Sequence, residues 1–542
     1  MSLLTAGIVV AAAGLAVDDS GRIRRWLHLF QLEHYENARL FGLWRRRLDI
    51  QHTAAFGLSV AAFIGAAVCA AAGAGDAAGA LLLAVAVVST VTGIGEWRRP
   101  EKKPFAFTGR AKRLYAVALV PGLVVLAIAV GLAAATRAGA LTALAVGLAL
   151  VAAAPLVVAG ANRALAPVER RVNRRFVDAA RAKLAAIAPL TIGITGSYGK
   201  TTTKFCVGEV LSRAKRTLVT RASFNTYLGV TRTINEDLAP EDEAFVVEMG
   251  AYRRGDVADL CALTRPTIGI VTAIGPMHLE RFGSIEEIEA AKGELAEALP
   301  ADGSLITNAD DPACRRIAGR SKATVTLFGI AAPAADVRAT DIRITSGRTA
   351  FTLHLPGRSH LVESRLLGRH NVRNLLAAAA CGLVVGVPDE QIVAALGSVE
   401  PPPHRLAPIV NRATGVVVID DAYNSNPEGA AGALEVLAEH EALRRLLVTP
   451  GMVELGDRQD DANQEFGRQA ARVCDLVVLV GAEQTEPVRA GLLEAGLAGD
   501  RIVTASDIEH ATAELSRLVR AGDVVLFEND LPDTYTNGRA RS

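Results

Sequence analysis

A chain of 542 residues is too long for one compact core, and three or four domains are expected. Lysine and arginine (58) nearly balance aspartate and glutamate (57), and the net charge of +1 gives no electrostatic footprint for a nucleic-acid partner. Six cysteines, Cys69, Cys206, Cys261, Cys314, Cys381 and Cys474, lie far apart without a CxxC pair, which argues against a disulfide framework or zinc knuckle and fits a reducing compartment.

Apolar residues are unevenly spread. Five apolar stretches, 3–17, 53–74, 77–95, 114–135 and 138–161, precede a remainder of ordinary globular composition. Four of them approach or exceed the roughly 20 residues a helix needs to cross a bilayer. The first is shorter, and no positive charge separates Met1 from its apolar run, so it is read as a short transmembrane helix rather than a signal peptide. The connections after the first and third stretches hold Arg22, Arg24, Arg25, Arg39, Arg45, Arg46 and Arg47, and Arg98, Arg99, Lys102, Lys103, Arg110, Lys112 and Arg113. The other two carry almost none. By the positive-inside rule the Arg-rich loops are cytoplasmic. The expectation is a multi-pass protein of the cytoplasmic (inner) membrane with everything after about residue 162 facing the cytoplasm. Trp26, Tyr35, Phe41 and Trp44 in the first basic loop fit either an amphipathic segment on membrane lipid or interfacial aromatics beside topogenic charges. Residues 165–188 read as a charged amphipathic helix.

Residues 191–196 (TIGITG) form a short β-branched strand that runs into Gly196-Ser197-Tyr198-Gly199-Lys200-Thr201-Thr202, followed by helix formers. Glycines let backbone amides turn inward around phosphate oxygens, and the helix presents its positive N-terminus to them. Lys200 is placed to neutralise a transferred phosphoryl group, and the Thr201 hydroxyl to reach a metal ion. The loop is shorter than the common GxxxxGKT form. In this it resembles the Mur ligase family, whose members join amino acids or peptides to carboxylates using ATP.

Later motifs repeat the resemblance. The apolar strand 245–247 ends in Glu248, and the strand 267–274 leads into Gly275-Pro276-Met277-His278-Leu279-Glu280. The family pattern implies that Glu248 and His278 bind magnesium together with Thr201, and that Lys292, in Ala290-Ala291-Lys292-Gly293-Glu294, is carbamylated to supply a further ligand. Asn225 and Thr226 match an NTxxGV segment near the acyl-donor substrate; a tight turn before a helix explains them equally well. Asn308, in an NADD loop, and Asn371 and Asn374, in an HNxxN helix start, match nucleotide contacts. Arg405 matches an arginine that reaches the γ-phosphate when domains close, although His404 stands where glycine commonly precedes it. The string Asp420-Asp421-Ala422-Tyr423-Asn424-Ser425-Asn426-Pro427 is similar to the MurF branch, which adds D-Ala-D-Ala to the peptidoglycan precursor, and Asp421 is the implied nucleotide contact. The loop 451–457 looks similar to the same branch and receives no catalytic role.

The expected architecture is therefore α/β: transmembrane helices (1–161), an amphipathic connector (162–189), a P-loop Mur ligase central domain (190–400) and a C-terminal Rossmann-like α/β domain (401–542). The implied enzyme is an ATP- and Mg2+-dependent acid–amino-acid ligase working through an acyl phosphate. Its expected partners are a small-molecule or lipid-linked cell-wall peptide precursor and cell-wall assembly proteins, with no nucleic acid. A poly-γ-glutamate-type synthetase and a P-loop ATPase coupled to transport are the rival readings. The membrane section stands where the MurF branch has a soluble N-terminal domain, which leaves the acyl donor open.

Overall fold

The computed structural model describes residues 2–33, 35–46, 53–99, 104–221, 224–277, 279–345, 347–411, 413–422 and 425–530. The chain divides into two compact units, Met1–Asn173 with Pro532–Ser542, and Arg174–Leu531.

The first unit is helical: α1 (Leu3–Leu32), α2 (Asn37–Arg46), α3 (Ala54–Ala71), α4 (Gly75–Arg98), α5 (Gly109–Leu132), α6 (Arg137–Ala152) and the start of α7 (Ala154–Ile187). Ser2, Thr53 and Thr108 cap α1, α3 and α5 by accepting from a backbone N–H three residues on. Small residues let α1 and α4 meet backbone to backbone. Gly7, Gly14 and Gly21 of α1 face Gly79, Ala86 and Gly93 of α4, and a Cβ at Gly14 would stand 2.5 Å from the Ala86 carbonyl. Leu4, Ile8, Leu15, Leu82, Leu126 and Leu144 fill the centre. Val68, Val87 and Val91 remain more than 60% exposed.

One expectation changes here. The basic residues Arg22, Arg24 and Arg25 sit on α1 rather than in a loop, because α1 runs on for 30 residues. Arg22 Nε donates to Asp18 Oδ1 at 2.8 Å, one turn away, so the charges are paired inside the helix. Four helices (α1, α3, α4, α5) are long and apolar enough to cross a membrane, or five if α6 and α7, which meet at an 80° bend, count as one; this holds by length and composition only.

The second unit opens with β1 (Leu190–Thr195), α8 (Lys200–Leu211), β2 (Thr217–Val219), α9 (Tyr227–Glu236), β3 (Ala244–Glu248), α10 (Asp256–Thr264), β4 (Ile268–Val271), α11 (Leu279–Phe282), α12 (Ile285–Ala298), β5 (Ser304–Asn308), α13 (Pro312–Ala318) and β6 (Thr324–Gly329). Strands β7 (Val337–Thr345), β8 (Arg348–Leu355) and β9 (Arg358–Ser364) follow, then α14 (Arg369–Val385) and α15 (Asp389–Ser398). They form one nine-stranded sheet of order β2-β3-β1-β4-β5-β6-β7-β8-β9, parallel up to β7 and antiparallel beyond. The parallel strands are apolar on both faces, as layers on each side require. Ile192, Ile194 and Val246 pack with Val207 of α8 and Leu375 of α14, while Phe245 and Val247 pack with Leu260 of α10 and Leu295 of α12.

The last part of the chain gives β10 (Ala407–Asn411), β11 (Val416–Asp421), α16 (Pro427–Glu439), β12 (Arg445–Thr449), α17 (Gln459–Ala471), β13 (Leu476–Val480), α18 (Glu486–Glu494), β14 (Ile502–Ala505), α19 (Ile508–Leu518) and β15 (Val524–Glu528). The sheet order is β10-β11-β15-β12-β13-β14, with only β10 antiparallel. Residues at the carboxyl ends of β1, β3 and β4, and of β11 in the second sheet, line one cleft, where open parallel sheets hold ligands.

Candidate active site

The turn between β1 and α8 needs two glycines. Gly196 has φ +146° and Gly199 φ +76°, and a Cβ on them would meet Thr272 Oγ1 at 2.1 Å and Asn374 Oδ1 at 2.3 Å. Ser197 Oγ donates to the Gly275 carbonyl at 3.0 Å, and the Thr272 hydroxyl donates to the Tyr198 carbonyl, so the segment that follows β4 braces the loop. Lys200 Nζ donates to the carbonyls of Gly196 (2.7 Å) and Ser197 (3.1 Å). Burial lowers its pKa to about 8, with Glu248 opposing and Arg405 adding to the shift. Burial raises the Tyr198 phenol.

Glu248 ends β3 beside Ile194 of β1 and is 1% exposed. Its Oε2 accepts from Thr201 Oγ1 at 3.0 Å and its Oε1 from Asn225 Nδ2 at 2.9 Å. Lys204 Nζ, on α8, lies 3.2 Å from the same Oε2. The Thr226 hydroxyl caps α9 by accepting from the Gly229 N–H at 3.3 Å. Asn225 and Thr226 thus part company, one on the acid and one on a helix end.

Lys292 on α12 is 4% exposed and faces a cavity of about 30 Å3 with Gly196, Lys200, Asn225 and Phe282. Its ammonium lies 5.8 Å from the Phe282 ring centroid, and burial, then Lys200, pushes its pKa well below the usual lysine range. His278 lies outside the described residues.

The start of α14 joins the loop. Asn374 Oδ1 accepts from Thr203 Oγ1 at 3.1 Å, Asn374 Nδ2 donates to Asn371 Oδ1 at 2.9 Å, and Asn371 Nδ2 donates to the Leu367 carbonyl at 2.8 Å. His370 packs against Gly432 of α16; burial, then Arg373 and Arg405, lowers its pKa to about 4. Arg373 pairs with Glu428 of α16 and lies 3.8 Å from Asp310. Asn308 is not brought to the cleft. Its Oδ1 accepts from the Asp310 N–H at 2.9 Å, and Asp310 in turn accepts from the N–H groups of Ile330, Ala331 and Ala332.

From the other side come Arg405 and Asp421. Asp421 pairs in register with Glu528 of β15, and its Oδ1 accepts from the Leu406 N–H at 3.1 Å. Burial raises Asp421 to about 6 and Glu528 well above the carboxylate range, while Arg405 pulls both down. His404 holds φ +59°, the left-handed region that favours glycine, and its Nδ1 lies 2.8 Å from Asp420 Oδ2.

These groups line a cleft of about 260 Å3 that collects Ser197, Tyr198, Gly199, Lys200, Thr201, Thr202, Asn225, Glu248, Asn371, Asn374, Arg405 and Asp421. Gly196 and Lys292 line the small cavity beside it. The arrangement suits a nucleotide phosphate and a divalent cation. The glycine turn leaves room only for backbone, a helix N-terminus follows, and two hard oxygen ligands, Thr201 Oγ1 and Glu248 Oε2, meet below it. Lys204, Thr203, Arg373 and Glu528 escaped the sequence reading. The lysine four residues after Lys200 was the one available signal, since i and i+4 share a helix face.

Comparison with known proteins covers the same part of the chain. Residues 194–382 match the Mur ligase middle domain, and residues 404–528 the Mur ligase glutamate ligase domain. The UDP-N-acetylmuramoyl-tripeptide–D-alanyl-D-alanine ligase of Mycobacterium tuberculosis is 35% identical over 373 residues, covering 65% of this chain and 73% of the relative. That of Escherichia coli is 38% identical over 296 residues, covering 54% and 64%. A crystal structure of MurF from Acinetobacter baumannii superposes with a TM-score of 0.59 at 28% identity, covering 66% of this chain and 77% of that one. These findings correct the expected location in the cytoplasmic membrane: the family models match the ligase part of the chain, residues 194–382 and 404–528, and the N-terminal helices meet the conditions for a span by length and composition only. The chain belongs to the Mur ligase family of ATP-dependent carbon–nitrogen ligases.

Proposed function

We propose that this enzyme activates a carboxylate of a peptidoglycan-type peptide precursor as an acyl phosphate and transfers the acyl group to an amine. The observation that carries this reading is the cleft that brings Lys200, Thr201 and Glu248 to face Arg405 and Asp421. The substrates named for the relatives, UDP-N-acetylmuramoyl-tripeptide and D-alanyl-D-alanine, supply the matching carboxylate and amine.

The loop 196–202 holds the ATP phosphates through its backbone amides, and Asn371 and Asn374 hold the nucleoside side. Magnesium would be held by Thr201, Glu248, His278 and a carbamylated Lys292, and would neutralise phosphate charge. The substrate carboxylate attacks the γ-phosphorus, and ADP leaves as the P–O bond breaks. Lys200 and Arg405 stabilise the charge on the transferred group from opposite walls. The amine then attacks the acyl carbon, phosphate leaves, and the amine proton passes to solvent. Lys292 suits carbamylation because its burial favours the neutral amine, the form that adds carbon dioxide and releases one proton.

Label transfer tests the scheme. With 18O in the donor carboxylate, one labelled oxygen is expected in the released phosphate, and unlabelled phosphate would rule out the acyl phosphate. Lys200→Ala is expected to lower turnover by at least ~100-fold with the fold retained.

A further inference from the structure

Glu248 is held from four directions. Its backbone N–H donates to Thr220 Oγ1 at 3.2 Å, Asn225 Nδ2 donates to Oε1, and Thr201 Oγ1 and Lys204 Nζ both donate to Oε2. Thr201 and Lys204 are three residues apart on α8 and therefore share a face. Lys204 has no solvent exposure, and its ammonium also lies 4.6 Å from the Phe205 ring centroid. A buried lysine therefore stands on the same carboxylate oxygen that the proposed function gives to magnesium. None of the roles considered so far uses it.

We propose that Lys204 is a positioning residue that acts as the resident counter-cation of Glu248. It compensates the buried carboxylate, holds Oε2 in line with Thr201, and by its own positive charge limits how tightly a divalent cation binds there. Two physical effects set the signs. A buried carboxylate that loses the cation paired with it is left less compensated, so the metal-free protein is weakened. A cation 3.2 Å from an oxygen repels a second cation arriving at that oxygen, and the low-dielectric surroundings of a 1% exposed carboxylate strengthen the repulsion. Removing the Lys204 charge must then lower the stability of the metal-free protein and tighten metal binding together. A residue that served packing alone would lower both stability and metal affinity.

This inference rests on Glu248 being a metal ligand, and the experiment separates the two claims. Mn2+ binding to the full-length protein with saturating ADP would be measured by electron paramagnetic resonance, with melting temperatures taken with and without metal. The variants are Lys204→Met, Lys204→Arg and Glu248→Gln. Lys204→Met is expected to melt lower without metal, to bind Mn2+ at least threefold more tightly, and to gain more on metal addition than the parent protein. Lys204→Arg, which keeps the charge, is expected to stay within twofold of the parent in Mn2+ affinity. Unchanged or weaker Mn2+ binding in Lys204→Met, while Glu248→Gln loses binding, overturns the counter-cation role and leaves the metal-ligand reading intact. Unchanged Mn2+ binding in Glu248→Gln overturns the ligand reading itself.

Discussion

Asn374 Oδ1 accepts the Thr203 hydroxyl at 3.1 Å, which ties the start of α14 to the first turn of α8. That same oxygen stands 2.3 Å from where a Cβ on Gly199 would lie, so the phosphate loop is sealed by a side chain 175 residues away in sequence. Gly199→Ala is expected to weaken ADP binding at least tenfold, measured by titration calorimetry. Its φ of +76° adds about 1–2 kcal/mol of backbone strain. Unchanged affinity would show that the loop does not need this close approach.

His370 carries a pH prediction. Its ring is held neutral down to about pH 4, whereas the unfolded chain takes up a proton near 6.5. Between those values the unfolded state binds more protons, so stability falls as pH drops from 6.5 toward 4. The loss assigned to this ring is on the order of 3 kcal/mol. His370→Gln should flatten that part of the stability profile in denaturant titrations, and an unaltered slope would assign it elsewhere.

His404, next to Arg405, gives a third test. Glycine suits φ +59° and would lose only the exposed contact with Asp420, so His404→Gly should keep kcat/KM for ATP within about threefold. His404→Val puts a β-branched side chain in the left-handed region, and it should displace Arg405 and lower kcat/KM at least ~10-fold. Equal values for the two variants would mean the backbone at 404 does not set the arginine.

In the helical unit, a methyl group at Gly14 would meet the Ala86 carbonyl at 2.5 Å, whereas Gly95 has nothing within 4 Å. Gly14→Ala should therefore destabilise the bundle by about 1–3 kcal/mol. Gly95→Ala should be neutral or stabilising through helix propensity. Thermal unfolding followed by circular dichroism distinguishes them, and similar melting curves would place α1 and α4 farther apart than described.

Much of the ligase fold was legible because buried parallel strands are continuous apolar, β-branched runs: 191–195 of the run 191–196 falls on β1, and 245–247 falls on β3. The β7–β9 ribbon was missed because its outward positions are Arg, Thr and His, which blur an apolar run. Charged residues at 18–25 read as the end of a helix; the Asp18–Arg22 pair lets α1 continue through them. At the site, the glycine loop, Glu248 and Arg405 were visible as motifs. Lys204 and Glu528 were not, because a buried charge announces itself only through a partner distant in sequence. Thr226 and Asn308 also serve the local fold, Thr226 capping α9 and Asn308 accepting from the Asp310 N–H in the turn after β5.

The most direct test of the central claim is ADP release by the full-length protein offered UDP-N-acetylmuramoyl-tripeptide and D-alanyl-D-alanine, separately and together, with mass spectrometry of the products. ADP formed only when both are present, in one-to-one ratio with a single amide product, is the predicted result. ADP release indifferent to both, or serial additions to one acceptor, would contradict it.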